Sequence, residues 1–237
     1  MQEIIEKINK LKKERRAIIL AHCYQNVEID NVADYVGDSL GLSRIAAKTD
    51  AQIIVFAGVY FMAETAKILS PDKKVLLPNL NSGCQMANMI DMKRMKEFKA
   101  QHPGVPVVCY VNSTAEVKAE ADVCCTSSNA IDIVRSLNAK KVLFAPDCYL
   151  GSWVAKKLPD VEIISYHGFC PTHLRLMPDE VKKMRILYPD AATLVHPECH
   201  QEVVKYADFV GSTTQIIQYC ERSKKKTYLI GTEKDVG

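Results

Sequence analysis

Short runs of apolar residues alternate along the chain with longer amphipathic segments. AIILA, IIVFA and VLFA are typical of strands that are buried on both faces of a parallel sheet. Segments such as FMAETAKIL and NAIDIVRSL have the spacing of helices that cover such a sheet. The pattern therefore predicts an α/β fold with parallel sheets.

One block of sequence occurs three times. ADYVGDS begins at Ala33, ADVCCTS at Ala121 and ADFVGST at Ala207, which are spacings of 88 and 86 residues. This period is too long for a short solenoid repeat and suits a small α/β domain. We expect three homologous, Rossmann-like αβα domains in a pseudo-threefold arrangement, and the alternative is one doubly wound sheet with coincidental echoes. The expected domains are 1–88, 89–174 and 175–237.

Composition and charge narrow the class of protein. The chain has 237 residues, of which 48% are hydrophobic and 25% are charged. No apolar run approaches the roughly 18–20 residues of a membrane-spanning helix, and the charged N-terminus MQEIIEKINKLKKERR does not resemble a signal peptide. The net charge of +3 comes from interspersed signs, which does not favour a nucleic-acid partner. We expect a cytoplasmic protein with no membrane partner.

The nine cysteines point to thiol or metal chemistry. An odd number of cysteines in a cytoplasmic chain disfavours a framework of disulfides. Cys84 and Cys170 both follow the last predicted strand of their repeat and lie 86 residues apart. Two thiolates in equivalent loops suggest a soft metal ion or an iron–sulfur cluster, and the spacing matches no compact zinc motif. The other cysteines are expected to be buried as small apolar side chains.

Polar side chains gather where the predicted strands end. Ligands of parallel sheets bind beyond the carboxyl ends of the strands, and two positions that are two residues apart lie on the same side of a strand. The pairs at the ends of the three first strands are His22 with Tyr24, Tyr110 with Asn112, and His196 with Glu198.

Hydroxyl groups follow the second strand of each repeat, just before a predicted helix. Helix N-termini bind anions through backbone N–H groups, so these hydroxyls predict a phosphate or carboxylate site. The alternative is that each hydroxyl only caps its helix. The residues are Ser39, Ser127, Ser212 and Thr213.

Several longer strings identify a family. In this order and spacing, HCYQ, GDSLGLS, GVYFMAETAKIL, CQMAN, YVNSTAEVKAEADVCCTSSNA, GFCPTH and HPEC closely resemble quinolinate synthase over essentially the whole chain. The resemblance implies three αβα domains around a pseudo-threefold axis. It also implies a 4Fe–4S cluster that is held by one cysteine from each domain, with the active site in a central cavity.

The resemblance also implies the reaction. Iminoaspartate condenses with dihydroxyacetone phosphate, with loss of phosphate and two waters, to give quinolinate in de novo NAD biosynthesis. The iron without a protein ligand acts as a Lewis acid toward substrate oxygens. A functional link to the enzyme that supplies iminoaspartate follows from the same resemblance.

Each candidate site residue matches a family position. Cys84 and Cys170 match cluster ligands. Tyr24 and Glu198 match groups that are expected to transfer protons. The residues that match active-site histidines are His22, His173 and His196, and those that match substrate-binding groups are Ser39, Tyr110, Asn112, Ser127, Ser212 and Thr213.

One family feature has no counterpart in the sequence. The third cluster cysteine is expected near position 256, whereas the sequence ends at Gly237, so we expect the third domain to be incomplete in this chain. Two other functions stay open. One is a metal-dependent, aldolase-like enzyme that uses Cys84, Cys170 and His173, and the other is a non-catalytic or cluster-free relative that binds small molecules.

Overall fold

A computed structural model describes residues 1–233 and contains three sheets with helices against them. Every strand pair in this part of the chain is parallel. The α/β fold with three parallel sheets, which the apolar runs predict, is therefore confirmed. The chain divides into two compact units, Met1–Cys84 with one sheet and Gln85–Gly237 with two. The three domain boundaries and the pseudo-threefold arrangement stay predictions.

The first unit contains a four-stranded sheet in the order β2-β1-β3-β4. A 3-10 turn at Val27–Asn31 connects its first two strands. The helices are α1 (Gln2–Arg15), α2 (Ser39–Lys48) and α3 (Tyr60–Leu69), and the strands are β1 (Ala17–His22), β2 (Tyr35–Gly37), β3 (Ile53–Ala57) and β4 (Lys74–Leu76).

The second unit contains two sheets, in the orders β6-β5-β7-β8 and β10-β9-β11. Both orders repeat the arrangement of the first unit, in which the second strand lies on one side of the first and the third strand on the other. The helices are α4 (Met92–Ala100), α5 (Ala115–Ala119), α6 (Ala130–Ser136), α7 (Cys148–Lys157), α8 (Pro178–Leu187), α9 (Gln201–Val204) and α10 (Thr213–Arg222). The strands are β5 (Val107–Tyr110), β6 (Val123–Cys125), β7 (Lys141–Ala145), β8 (Glu162–Ser165), β9 (Ala192–Val195), β10 (Phe209–Val210) and β11 (Tyr228–Gly231).

The aspartate of the repeated AD dipeptide joins the first two strands of every sheet. The Asp34 carboxylate accepts the Ile19 amide at 2.8 Å, and the Asp34 amide donates to the Ile19 carbonyl at 2.9 Å. The equivalent pairs are Asp122 with Val107 at 2.7 and 3.0 Å, and Asp208 with Thr193 at 2.8 and 2.8 Å. The repeat therefore extends from the sequence to individual hydrogen bonds.

A cation on the helix before each sheet adds a second recurring contact. Lys12 donates to the Val32 carbonyl at 2.8 Å. The equivalent donors are Lys99 to the Glu120 carbonyl at 2.5 Å and Arg185 to the Tyr206 carbonyl at 2.8 Å. Each contact ties the helix to the segment that enters the second strand, so the helix and the sheet are fixed as one structure.

Burial follows the position of each strand in its sheet. The central strands β5 and β9 are buried along their whole length, whereas the edge strand β2 is largely exposed. Parallel strands that are covered by helices on both faces are nearly continuous apolar runs, and VVCY and ATLV fit this pattern with Thr193 as a buried polar exception. Within residues 1–233, no helix has the length and apolar character that crossing a membrane requires.

Candidate active site

The carboxyl ends of β5 and β9 bring two predicted site residues into contact. The Tyr110 hydroxyl donates to Glu198 Oε1 at 2.5 Å, and both side chains are buried. Tyr110 ends β5, and Glu198 lies in the loop that follows β9. Their positions are 88 residues apart in the sequence, so the contact depends on the tertiary structure of this unit.

Two histidines also lie next to the Glu198 carboxylate. His173 Nδ1 lies 3.1 Å from Glu198 Oε2, and His196 Nδ1 lies 3.8 Å from Oε1. The two imidazole rings are stacked, with centroids 4.6 Å apart. Three predicted catalytic residues of the second unit therefore form one buried cluster.

The charges of this cluster follow from burial and hydrogen bonding. Burial opposes ionisation of Glu198, but the histidines and the hydrogen bonds from His173 and Tyr110 outweigh it and hold the pKa of Glu198 below its usual value. Burial lowers the pKa of His196 to about 3, against the opposing effect of the Glu198 charge. The cluster thus contains a carboxylate and a neutral His196 at neutral pH.

The His196 ring has a defined tautomer. Its Nδ1 accepts the backbone N–H of Glu198 at 3.3 Å, so the proton of the neutral ring is on Nε2. In the first unit, His22 Nδ1 accepts the backbone N–H of Tyr24 at 3.2 Å in the same way. Histidine at this repeat position therefore has its hydrogen-bond donor at Nε2.

The first unit holds the other predicted catalytic residues. His22 ends β1 and is buried, and the Tyr24 ring contacts it edge to face with centroids 4.5 Å apart. Ser39 is the first residue of α2, whose N-cap is Asp38. Cys84 is the last residue of this unit, is half-buried and is outside any disulfide.

The predicted substrate-binding residues of the second unit lie at loops and helix starts. Ser127 lies in the turn that precedes α6. Ser212 caps α10 by accepting the Gln215 amide, and Thr213 begins that helix. Asn112 has a buried Oδ1 that accepts no hydrogen bond from the described residues. An orphaned buried acceptor is unusual and is consistent with a place for a ligand.

Cys170 joins the same cluster from the loop after β8. Its sulfur lies 3.1 Å from His173 Nδ1, and the side chain is half-buried. Burial and the Glu198 charge raise the pKa of this thiol well above its usual value. The sulfur, a ring nitrogen of His173 and a carboxylate oxygen of Glu198 lie within 4.8 Å of one another, so this group could hold a metal ion.

The loop that carries Cys170 is held against the start of α7. The Cys148 amide donates to the Gly168 carbonyl at 2.8 Å, and Gly168 also forms a parallel bridge with Asp147. A Cβ at Gly168 would lie 2.6 Å from the Pro146 carbonyl oxygen. Only glycine allows this approach, which brings the loop against the start of α7 two residues before Cys170.

Comparison with known proteins shows the family to which this chain belongs. The model of the family described as quinolinate synthetase A protein matches residues 6–237. The chain belongs to this family. It is 60% identical over 233 residues to the quinolinate synthase of Alkaliphilus metalliredigens, covering 98% of this chain and 77% of the relative.

Two further quinolinate synthases are similar over the same part of the chain. The protein of a Sulfurihydrogenibium species is 55% identical over 231 residues, which are 98% of this chain and 75% of the relative. That of Aquifex aeolicus is 51% identical over 233 residues, which are 98% and 72%. The family resemblance carried by strings such as YVNSTAEVKA is therefore confirmed for quinolinate synthetase A.

Asp147 is a buried residue of this quinolinate synthetase A chain that sequence reasoning missed. It caps α7 through the Leu150 amide at 2.6 Å, and its Oδ2 accepts no hydrogen bond from the described residues. Burial and the Glu198 charge raise its pKa well above the usual value, although nearby backbone amides oppose this change. The only sequence signal is the Pro-Asp step before a helix, which indicates an ordinary cap.

Replacing Asp147 with Asn is expected to stabilise the protein at neutral pH when no iron–sulfur cluster is bound. The raised folded-state pKa means that the stability from the protonated carboxyl is present below the unfolded pKa of about 3.9 and is lost as pH rises toward the folded pKa. Each pKa unit between the folded and the unfolded state changes the free energy of unfolding by about 1.4 kcal/mol. Asn is also a good N-cap residue, so the helix cap is kept. Denaturant unfolding between about pH 5 and pH 8 measures the free-energy difference.

Asp132→Asn is the matched control, because its side chain is 77% exposed and pairs only with Arg135 in the described contacts. It should leave the pH dependence of unfolding unchanged. Parallel loss of stability with pH in the wild type and in Asp147→Asn would show that Asp147 is already charged in the folded protein.

Proposed function

We propose that this chain carries out the quinolinate synthase reaction, in which iminoaspartate and dihydroxyacetone phosphate give quinolinate, phosphate and two waters. The observation that carries the proposal is the buried Glu198 carboxylate in contact with Tyr110 and His173, in a chain of the quinolinate synthetase A family. The proposed setting is cytoplasmic NAD biosynthesis, with iminoaspartate supplied by a separate enzyme.

Proton transfer is the work assigned to Glu198 and Tyr24. Isomerisation of a ketose phosphate and loss of water both require a base that removes a proton from carbon, together with an acid that protonates the carbonyl oxygen in the first case and the leaving hydroxyl in the second. A carboxylate whose pKa is low takes up a proton only transiently, and it can return that proton to a leaving hydroxyl. Tyr110, at 2.5 Å from Glu198, orients the carboxylate and is available to relay the proton.

The strand-end histidines serve as hydrogen-bond donors. His196 and His22 each accept a backbone N–H at Nδ1, so in each ring Nε2 is the nitrogen that carries a proton. A fixed donor of this kind stabilises negative charge that develops on a carbonyl oxygen, or it binds a substrate carboxylate. We assign them to orientation and charge stabilisation, with Asn112 as a further substrate contact.

Two cysteines of this chain fit the role of ligands to a 4Fe–4S cluster. Cys84 and Cys170 are half-buried thiols outside any disulfide, and each lies in the loop after the last strand of its sheet. Because burial disfavours the Cys170 thiolate, a bound cation is what would keep it ionised. These two residues would hold the cluster, which supplies a Lewis acid for substrate oxygens.

The hydroxyl residues give a separate prediction about phosphate binding. Replacing Ser127 with Ala together with Thr213 by Val is expected to raise the KM for dihydroxyacetone phosphate by about 10-fold or more, because a hydrogen bond to a charged group is worth about 1.5–3 kcal/mol. Steady-state kinetics at saturating iminoaspartate measure this KM. Ser136→Ala is the control, since that exposed hydroxyl bonds the Ile133 carbonyl. An unchanged KM would exclude these hydroxyls from the phosphate site.

The direct test is turnover by anaerobically prepared protein with its iron and sulfide counted. Iminoaspartate is supplied from oxaloacetate and ammonia, and quinolinate and phosphate are measured separately. We expect quinolinate and phosphate in equal amounts. Carbon–carbon bond formation without release of phosphate would support the aldolase-like alternative. Substrate binding without any product, in protein that holds the cluster, would support a binding role.

A further inference from the structure

The second unit contains a compact set of three different metal-ligand groups. Cys170 Sγ and Glu198 Oε2 each lie 3.1 Å from His173 Nδ1, and the three ligand atoms are all within 4.8 Å of one another. His173 and Glu198 are buried, whereas Cys170 is half-buried. The set has one soft, one intermediate and one hard donor, a mixture that zinc accepts readily.

The spacing of these atoms suits a tetrahedral ion. With zinc–nitrogen and zinc–oxygen distances of about 2.0–2.1 Å and a zinc–sulfur distance of about 2.3 Å, adjacent ligand atoms lie about 3.3–3.6 Å apart. The observed contacts of 3.1 Å to His173 are within a few tenths of an ångström of this spacing. Small movements of the side chains would bring these two contacts to the spacing found around a bound ion.

The second nitrogen of His173 already has the partner that a metal-bound histidine needs. His173 Nε2 lies 3.0 Å from the Thr232 hydroxyl, which can either donate or accept a hydrogen bond. When Nδ1 binds a metal, the ring proton moves to Nε2 and is donated to Thr232. Metal-bound histidines nearly always have such a partner, which sets the tautomer and the ring orientation.

The second oxygen of the Glu198 carboxylate and the overall charge of the site are also compatible with a bound zinc ion. Glu198 Oε1 accepts the Tyr110 hydroxyl at 2.5 Å, which leaves Oε2 to face His173. A thiolate and a carboxylate together balance the two charges of Zn²⁺, so the occupied site is neutral. A neutral site avoids the cost of an uncompensated charge in buried surroundings.

We propose that the cluster-free protein binds one Zn²⁺ ion through Cys170 Sγ, His173 Nδ1 and Glu198 Oε2, with a fourth position open to water. Zinc in this site occupies a proposed cluster ligand together with the proposed catalytic carboxylate. The zinc form is therefore an inhibited form that resists assembly of the cluster. The inhibition rests on the proposed function, whereas the binding of zinc does not.

The binding is tested on cluster-free protein with Zn²⁺ alone, by competition with a chromogenic chelator and by metal analysis. We expect one zinc per chain. Cys170→Ser, His173→Gln and Glu198→Gln should each lower the affinity by more than about 100-fold, since loss of a second-layer partner alone costs about 10–100-fold. Thr232→Val, which removes only the hydroxyl, should cost that smaller amount.

Cys84→Ser is the matched control, because it removes the other proposed cluster ligand and none of the zinc ligands. It should lose the cluster and keep wild-type affinity for zinc. Equal loss of zinc binding in Cys84→Ser and Cys170→Ser, or unchanged binding in His173→Gln, would overturn the proposed ligand set. The site itself would be overturned if the wild-type protein bound less than about half an equivalent of zinc. The competing chelator should be one that binds zinc more weakly than a structural zinc site does.

Two measurements on the wild type do not depend on the folding of variants. Co²⁺ in place of zinc should give a thiolate-to-metal charge-transfer band and the intense visible bands of a four-coordinate ion. Zinc should also protect Cys170 from alkylation, as read by peptide mass spectrometry, while leaving Cys220 reactive. If Cys170 is alkylated at the same rate with and without zinc, the proposal is wrong. If zinc binds but reconstitution and turnover are unaffected, only the inhibition is wrong.

Discussion

Replacement of Glu198 by Gln is expected to lower quinolinate formation by about 10²–10⁴-fold, which is the usual loss when a positioned acid–base group is removed. The amide has nearly the same shape and still accepts the Tyr110 hydroxyl, so the loop after β9 should keep its conformation. It cannot take up a proton at neutral pH. The iron and sulfide content should therefore stay at the wild-type level while turnover falls.

The measurement is the rate of quinolinate formation per cluster under anaerobic conditions. Glu202→Gln is the matched control, because it makes the same chemical change at an exposed carboxylate that pairs with Lys205. Its rate should equal that of the wild type. Glu198→Asp should recover part of the lost rate, since it restores an ionisable group in a shorter side chain. Wild-type turnover in Glu198→Gln would remove Glu198 from the proton-transfer role.

The strands and their parallel sheets could be predicted because the repeat is strong, whereas their order in each sheet comes from the structure. VVCY and ATLV are short and mostly apolar, and β5 and β9 are the buried central strands of their sheets. The physical reason for the repeated AD dipeptide was not visible in the sequence. Asp122 bonds Val107, which is 15 residues earlier, and such a pairing follows only from the register of two parallel strands.

Part of the site could be predicted for the same reason. Alignment of the repeats placed Tyr110 and Glu198 at the ends of equivalent strands, and in the second unit these two side chains are in contact. Asp147 and Thr232 were missed. Asp147 follows a proline before a helix, and Thr232 follows a short strand, so neither residue type is unusual in its local sequence. Their importance comes from what they face in the folded unit.

The loop that places Cys170 should be sensitive to a single added methyl group. Replacing Gly168 with Ala sets a Cβ 2.6 Å from the Pro146 carbonyl oxygen. Both atoms are attached directly to the backbone, so neither can rotate away as the end of a long side chain could. The bond from the Cys148 amide to the Gly168 carbonyl must then lengthen, and the loop must move outward. Overpacking of this kind usually costs about 1–3 kcal/mol of stability.

Much of that strain is released when the loop opens, because the clash lies between the loop and the start of α7. Each 1.4 kcal/mol is a factor of about ten in an equilibrium, so we expect chelator-driven loss of the cluster to be about 10-fold faster or more in Gly168→Ala. Gly104→Ala is the control. Its φ of +77° imposes backbone strain, but no atom lies within 4 Å of the added Cβ.

The two variants separate loss of stability from loss of cluster geometry. Gly104→Ala should lower the midpoint of thermal unfolding of the cluster-free protein, since a residue with a side chain is strained at positive φ, yet hold its cluster as the wild type does. Gly168→Ala should lose both. If chelator removes the cluster equally slowly from Gly168→Ala and from the wild type, then the loop tolerates the added methyl group, and the contact with Pro146 does not fix the position of Cys170.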